Sequence, residues 1–249
     1  MTRLSRARSL ARWSSLGVGV TAAAYATYAA VTWWRYGHPA RPMAESDDPL
    51  LDRFMPISDV AERHHIRVEA PAEITFAAAC EMDVLQSPII RTIFKAREVL
   101  LGSEPDTAVR PRGLLASTTS MGWGVLAEVT GREVVMGAVT QPWQANVTFR
   151  PIPPDEFAAF NEPGYVKIAW TLRADSIGTT QSVFRTETRA IATDALARTK
   201  FRRYWSFLSP GIIAIRQMML TPVKADAERR ARSDGRNHAS AQGKEESCP

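Results

Sequence analysis

Glu62 and His64 stand two residues apart in the segment Val60-Ala-Glu-Arg-His-His-Ile-Arg-Val68. Alternate residues of a β-strand share a face, so a strand here puts a carboxylate and an imidazole side by side. That pairing suits general acid or base chemistry. Ile66 and Val68 mark the inward face, Arg63, His65 and Arg67 the outward one, and Glu62 and His64 share parity with Ile66. Buried ionisable groups need partners, and displaced ones can mark a site. The plainer alternative is a solvated role, since both lie in the first half of the strand.

A second set of residues suits apolar binding. On 165–173, Val166, Ile168, Trp170 and Leu172 form one face, and Tyr165, Lys167, Thr171 and Arg173 the other. On the last strand, Phe184, Thr186 and Thr188 share the inner face. Arg185, Glu187 and Arg189 then point outward as a charge ladder, worth at most ~1 kcal/mol per pair. Trp123, Trp143, Trp170 and Trp205 are candidate cavity walls, with plain core packing as the alternative.

Other chemistries lack their residues. The chain contains no Gly-x-Ser-x-Gly, no phosphate loop and no Gly-x-Gly-x-x-Gly. His38, His64, His65 and His238 have no metal-ligand spacing, and Cys80 and Cys248 suit neither a metal nor a disulfide framework. No metal and no cofactor is expected. The net charge of +5 comes from basic residues at both ends and across the chain. Without an Arg/Lys tract interleaved with aromatics, nucleic acid is excluded as a partner and anionic lipid headgroups fit better.

The elements that must position these residues follow one another in a simple order. A strand over 60–69 meets a short helix at 71–82, started by Pro71. Ser87-Pro88 opens a second helix that Gly102 stops, and 103–113 is a loop. Period-two segments follow: 123–129 and 133–139 flank a hairpin turn at Thr130-Gly131-Arg132, and 143–150, 165–173 and 180–192 continue the pattern. A loop with a helical turn near 155–160 separates the third and fourth. Asp194 caps a C-terminal helix, which Ser209-Pro210-Gly211 kinks or restarts. The fold class is α+β, with one helix laid on a curved antiparallel sheet.

The chain divides into a basic segment 1–12, a transmembrane helix 13–34, a linker 35–56, a folded domain 57–225 and a polar, disordered tail 226–249. Residues 13–34 carry no charge, and 22 residues suffice to cross about 30 Å of hydrocarbon. Trp13, Trp33, Trp34 and Tyr36 sit at headgroup level. Ala22, Ala26 and Ala30 form a seam for a helix partner. The arginines favour a cytoplasmic N-terminus for this single-pass membrane protein. A cleaved signal peptide is the rival, with Ala24-Tyr25-Ala26 as its best cleavage site.

Four segments carry a family resemblance: Val68-Glu-Ala-Pro-Ala-Glu-Ile-Thr-Phe-Ala-Ala-Ala79, Gly122-Trp-Gly-Val-Leu-Ala-Glu128, Ser182-Val-Phe-Arg-Thr-Glu-Thr-Arg189 and Phe201-Arg-Arg-Tyr-Trp-Ser-Phe-Leu-Ser-Pro-Gly-Ile212. With the element order, they resemble the helix-grip superfamily of START lipid-transfer domains, Bet v 1-like proteins and polyketide cyclases, often called SRPBCC. The resemblance spans about 57–225. It implies a deep apolar cavity between sheet and C-terminal helix, and no particular reaction. The expected function is a membrane-anchored domain binding a hydrophobic small molecule, a lipid or isoprenoid, with membrane lipid as neighbour. The ligand contacts are Glu62, His64, Trp123, Trp143, Trp170, Phe184, Thr186, Thr188 and Trp205. The alternatives are a cyclase/aromatase-like enzyme using Glu62 and His64, and an interaction scaffold docking through the apolar stretch 209–223.

Overall fold

The computed structural model describes residues 3–39, 48–104 and 110–245. Met1, Thr2, linker residues 40–47, loop residues 105–109 and the last residues 246–249, Cys248 included, lie outside them.

Six strands form one antiparallel sheet: β1 (Val60–Val68), β2 (Gly124–Val129), β3 (Glu133–Thr140), β4 (Phe149–Arg150), β5 (Val166–Ser176) and β6 (Ser182–Ala192). Their order is β1-β6-β5-β3-β2, with β4 paired to β3. The first strand therefore lies beside the last, joining the two ends of the domain. Helix α1 (Arg3–Arg35) precedes the sheet, with a turn of helix α2 (Pro49–Asp52) after it. Helices α3 (Ala72–Glu81), α4 (Pro88–Leu101) and α5 (Leu114–Ser120) lie between β1 and β2, and α6 (Pro154–Phe157) before β5. Helix α7 (Ala195–Glu245) packs along one face of the sheet.

The local signals operate as their chemistry requires. Ser87 caps α4 by accepting from the Ile90 N–H. Gly102 ends it in the left-handed region at φ 67°, which costs glycine little. Asp194 accepts from the N–H groups of Leu196 and Ala197, capping α7.

Three clusters fill the interior. The largest joins Val68, Phe76, Met136, Trp170, Leu172 and Phe184 to Val223 and Ala227 of α7. A second, at the start of α7, joins Tyr36, Val60, Val166, Phe201 and Trp205. The third lies on the opposite, convex face, where Leu51, Phe54, Met55 and Phe157 cover Leu126, Val135 and Ala169. There Gly137 is required, because a Cβ would stand 2.5 Å from Leu126 and 2.9 Å from Phe157.

Several expectations are corrected. The alternation at 143–150 yields strand only at Phe149–Arg150; a turn, with the Gln144 N–H bonded to the Gln141 carbonyl at 3.0 Å, replaces the rest. Helix α5 lies in a stretch to which the sequence reading assigned no element. Helix α7 is continuous through Pro210 and Pro222 to Glu245, so residues 226–245 of the expected disordered tail are helical. Ala227 is fully buried, and ion pairs Lys224–Glu228, Asp226–Arg230 and Arg230–Glu81 support that stretch, as pairs spaced three or four residues apart do.

Helix α1 also departs from expectation. No helix among the described residues is long and apolar enough to cross a membrane. The last third of the expected span is instead packed on α7. Tyr28 Oη lies 3.0 Å from Ser209 Oγ, the Tyr25 hydroxyl donates to the Phe207 carbonyl, and Arg202 donates to the Trp33 carbonyl at 2.7 and 2.9 Å while lying over its ring. Tyr36, expected at headgroup level, is buried against Phe201 and donates to Asp59. Ala29 is buried, whereas the seam Ala22, Ala26, Ala30 stays exposed.

Candidate functional site

The register of three strands builds the concave centre. Glu62 lies opposite Thr188, His64 opposite Thr186, and Ile66 opposite Phe184. Thr188 in turn lies opposite Trp170. Directly opposed residues of an antiparallel pair face the same side, so Glu62, His64, Trp170, Thr186 and Thr188 share one patch beneath α7. His65 points the other way and is exposed.

Helix α7 supplies a residue that the sequence reading missed. Ile212, Arg216, Met219, Val223 and Ala227 recur three or four residues apart, the spacing of one helix face. Four are apolar: Val223 and Ala227 belong to the largest cluster, Ile212 packs on the one at the start of α7, and Met219 is buried; the fifth is Arg216. Its Nη1 donates to Thr186 Oγ1 at 3.2 Å, and its guanidinium carbon lies 5.4 Å from the centre of the Trp170 ring. The signal was present in the sequence as an arginine inside an apolar stripe, but α7 had first to be read as one unbroken helix.

The electrostatics of the patch are one-sided. Burial pulls the Arg216 pKa down to about 10, and no carboxylate among the described residues forms an ion pair with it. The residue nevertheless keeps some accessible surface. Glu62, His64, Ile66, Ile168 and Thr188 are likewise half-buried. Burial first, then the charges of Arg216 and His65, hold the His64 pKa below its usual value. Burial pushes the Glu62 carboxyl up, against the opposing pull of Arg35. His64 Nε2 and Thr188 Oγ1 are buried without a hydrogen-bond partner. Such atoms are costly, so each invites a ligand or a water.

The remaining expected contacts stand elsewhere. Phe184 is fully buried in the main core. Trp123 stands edge-on to Trp170 at 6.0 Å and packs on Phe149 at 4.9 Å, supporting the patch from behind. Trp143 and Trp205 join the cluster at the start of α7, where Lys200 lies over the Trp143 ring.

Two hollows lie among the described residues, the smaller touching this patch at His64 and Thr186. A cleft of about 620 Å³ opens between the end of α1 and the start of α7, lined by Trp33, Tyr36, His38, Asp59, Arg198 and Arg202 among others. A recess of about 30 Å³ beside Arg63, Arg173 and Glu187 has room for about one water. The described residues contain no cluster of three or more His, Cys, Asp or Glu suited to a metal. Cys80 is a free thiol whose pKa burial pushes up to about 12.

No protein-family model and no curated protein sequence matches the chain. Among solved structures, it is similar to a hypothetical protein from Helicobacter pylori, at 6% identity over 76% of this chain and 99% of the other, with a TM-score of 0.37. It is similar to the Zhui aromatase/cyclase from Streptomyces sp. R1128, at 14% identity over 70% of this chain and 97% of that one, with a TM-score of 0.23. It is also similar to norcoclaurine synthase from Thalictrum flavum, solved with dopamine and hydroxybenzaldehyde, at 9% identity over 75% and 96%, with a TM-score of 0.24. These scores carry no conclusion about ligand or reaction. The helix-grip description rests on the chain's own sheet order and on the C-terminal helix that the sheet holds.

Proposed function

We propose that the concave face of the sheet, roofed by α7, binds a hydrophobic or amphipathic small molecule. The observation that carries this is the patch itself: a reachable set of apolar side chains surrounding a few polar groups with unused bonding capacity, the usual chemistry of a ligand pocket. Ile66, Ile168 and Trp170 would hold the apolar body. Lipids and isoprenoids are the ligand classes that fit.

A membrane nearby would supply such ligands. Helix α1 exposes Val20, Tyr25, Val31 and Trp34 and carries no acidic residue. It suits contact with the headgroup region by an apolar helix face. Flotation of the full chain with anionic vesicles tests this: protein left at the bottom of the gradient would remove the membrane from the account.

Native mass spectrometry of the full chain, followed by extraction and identification of what is bound, tests the central reading. A discrete co-purifying apolar molecule is expected. A chain that is empty and also fails to take up added lipid would sink it.

An acid–base enzyme is the second reading, favoured by one observation. The shifts on Glu62 and His64 leave a carboxyl that retains its proton more readily and an imidazole that stays neutral, the forms in which one can give and the other accept a proton. Turnover abolished in His64→Ala, with ligand binding retained, would establish it; unchanged turnover would remove it.

A further inference from the structure

Arg216 is a cation on the ligand side of the fold with no acid assigned to it. The described residues supply one hydrogen bond, from Nη1 to Thr186, and the face of Trp170. Nearby stand His64, whose unpartnered Nε2 is buried, and Thr188, whose unpartnered hydroxyl is buried. His64 is neutral or cationic, and Glu62, the carboxyl on this patch, forms no ion pair with Arg216; burial raises its pKa besides.

An enclosed guanidinium without an anion is expensive to keep. A folded chain tolerates that cost when the missing charge arrives with a ligand, since polar atoms held ready for a ligand need no reorganisation on binding. Resting on the ligand-binding reading above, we infer that the ligand is an amphiphile bearing a single carboxylate, which pairs with Arg216 while its apolar body lies along Ile66, Ile168 and Trp170. The planar fork of a guanidinium matches a carboxylate with two parallel N–H···O bonds. The Thr188 hydroxyl is free to donate a further bond. A phosphate monoester brings more negative charge than this one arginine offsets, and the second cation near the patch, Arg35, acts on Glu62.

The experiment compares oleate with oleyl alcohol, which share a chain length and differ in the charged head, using the full chain and isothermal calorimetry below micellar concentrations. Oleate is expected to bind roughly 10- to 100-fold more tightly, the range for a charge-assisted pair. In Arg216→Met the preference should vanish through loss of oleate affinity, with the alcohol unaffected. Arg216→Gln, which retains a hydrogen-bond donor, should lose the preference too, and it decides the matter if the Met variant does not fold. Equal affinity of the unaltered chain for acid and alcohol overturns the carboxylate assignment and leaves the groove intact as a binding site. Dodecyl phosphate binding more tightly than dodecanoate overturns it as well, in favour of a phosphate. Failure of both oleyl compounds to bind overturns the ligand-binding reading itself.

Discussion

The two faces of the same three strands handle charge in opposite ways. On the convex face, Glu187 accepts from Arg63 at 2.8 Å and from Arg189 at 2.6 Å, and Arg189 goes on to Asp52 and the Met55 carbonyl. Asp175 joins Arg173 and Arg185 nearby. On the concave face, one residue over in the alternation, Arg216 meets a threonine and an indole. The convex network is closed upon itself and therefore structural. The concave patch is open in its bonding, and openness maintained inside a fold is what a ligand site requires. The expected solvated ladder is corrected by this: Glu187 and Arg189 are each 5% exposed, because residues 48–55 lie across them.

The sharpest way to break the comparison is to remove one arginine from each face. Arg189→Met strips Glu187 of one buried partner and leaves Asp52 and the Met55 carbonyl without theirs. A cost of about 3 kcal/mol is expected, the scale for breaking a buried pair. Arg216→Met removes a cation that has no acid to strand, so the ligand-free chain should hold its stability or gain about 1 kcal/mol. Urea midpoints of both variants decide it. Equal losses would mean that Arg216 is as structural as Arg189, and the two faces would no longer differ in kind.

How much of this was legible depended on range. Face parity is local, so the inward set Glu62, His64, Thr186 and Thr188 and the outward set Arg185, Glu187 and Arg189 could be read from alternation alone. So could α4, whose cap at Ser87 and stop at Gly102 are each a matter of a few residues. Segments decided by tertiary contact were misread. Trp143, Ala145 and Val147 alternate like a strand, yet Ser103 bonds the Ala145 carbonyl and Asn146 accepts from the Glu104 N–H, so loop contacts replace strand pairing. Pro210 reads as a break, yet Ser209 is fully buried against Tyr28, and packing holds the turn together. Arg216 was lost for the same reason: its place on the inner stripe follows only from a helix continuous through that proline.

A smaller effect probes the one flaw in the convex network. Glu133 sits beside Asp48 and 4.0 Å from Arg173, and one of its oxygens is unpartnered. Burial, with the neighbouring Asp48 charge, pushes its pKa from 4.5 to about 7. The native chain therefore retains a proton that the unfolded chain releases near the ordinary glutamate value. Between about pH 4.5 and 7 the folded state binds more protons, so stability falls as pH rises through that window and levels off above it. A loss of about 2 kcal/mol between pH 5 and pH 8 is expected. Glu133→Gln should abolish that slope in urea titrations; an unchanged slope would assign the pH dependence to other groups and leave the convex face without a weak point.

The finest test sets a satisfied hydroxyl beside an open one and asks whether each behaves as its surroundings require. Thr75 belongs to the satisfied class: its hydroxyl lies 2.8 Å from Ser182 Oγ, which donates to the Ala70 carbonyl at 2.9 Å. Thr75→Val keeps the shape, removes one partner and strands the other, so a loss of about 1 kcal/mol is expected. Thr188 belongs to the open class, with a buried hydroxyl that bonds to nothing in the ligand-free fold. Thr188→Val deletes an unpaid desolvation and should leave stability unchanged or raise it by up to about 1 kcal/mol. The same substitution should weaken oleate binding, because the hydroxyl's partner arrives only with the ligand. Opposite signs in stability, joined to weaker oleate binding in the Thr188 variant alone, would show that the concave patch is held open for a ligand. A matching loss of stability in both would mean that Thr188 already has a partner in solution, a bound water being the simplest, and that this part of the patch is closed like the Thr75–Ser182 pair.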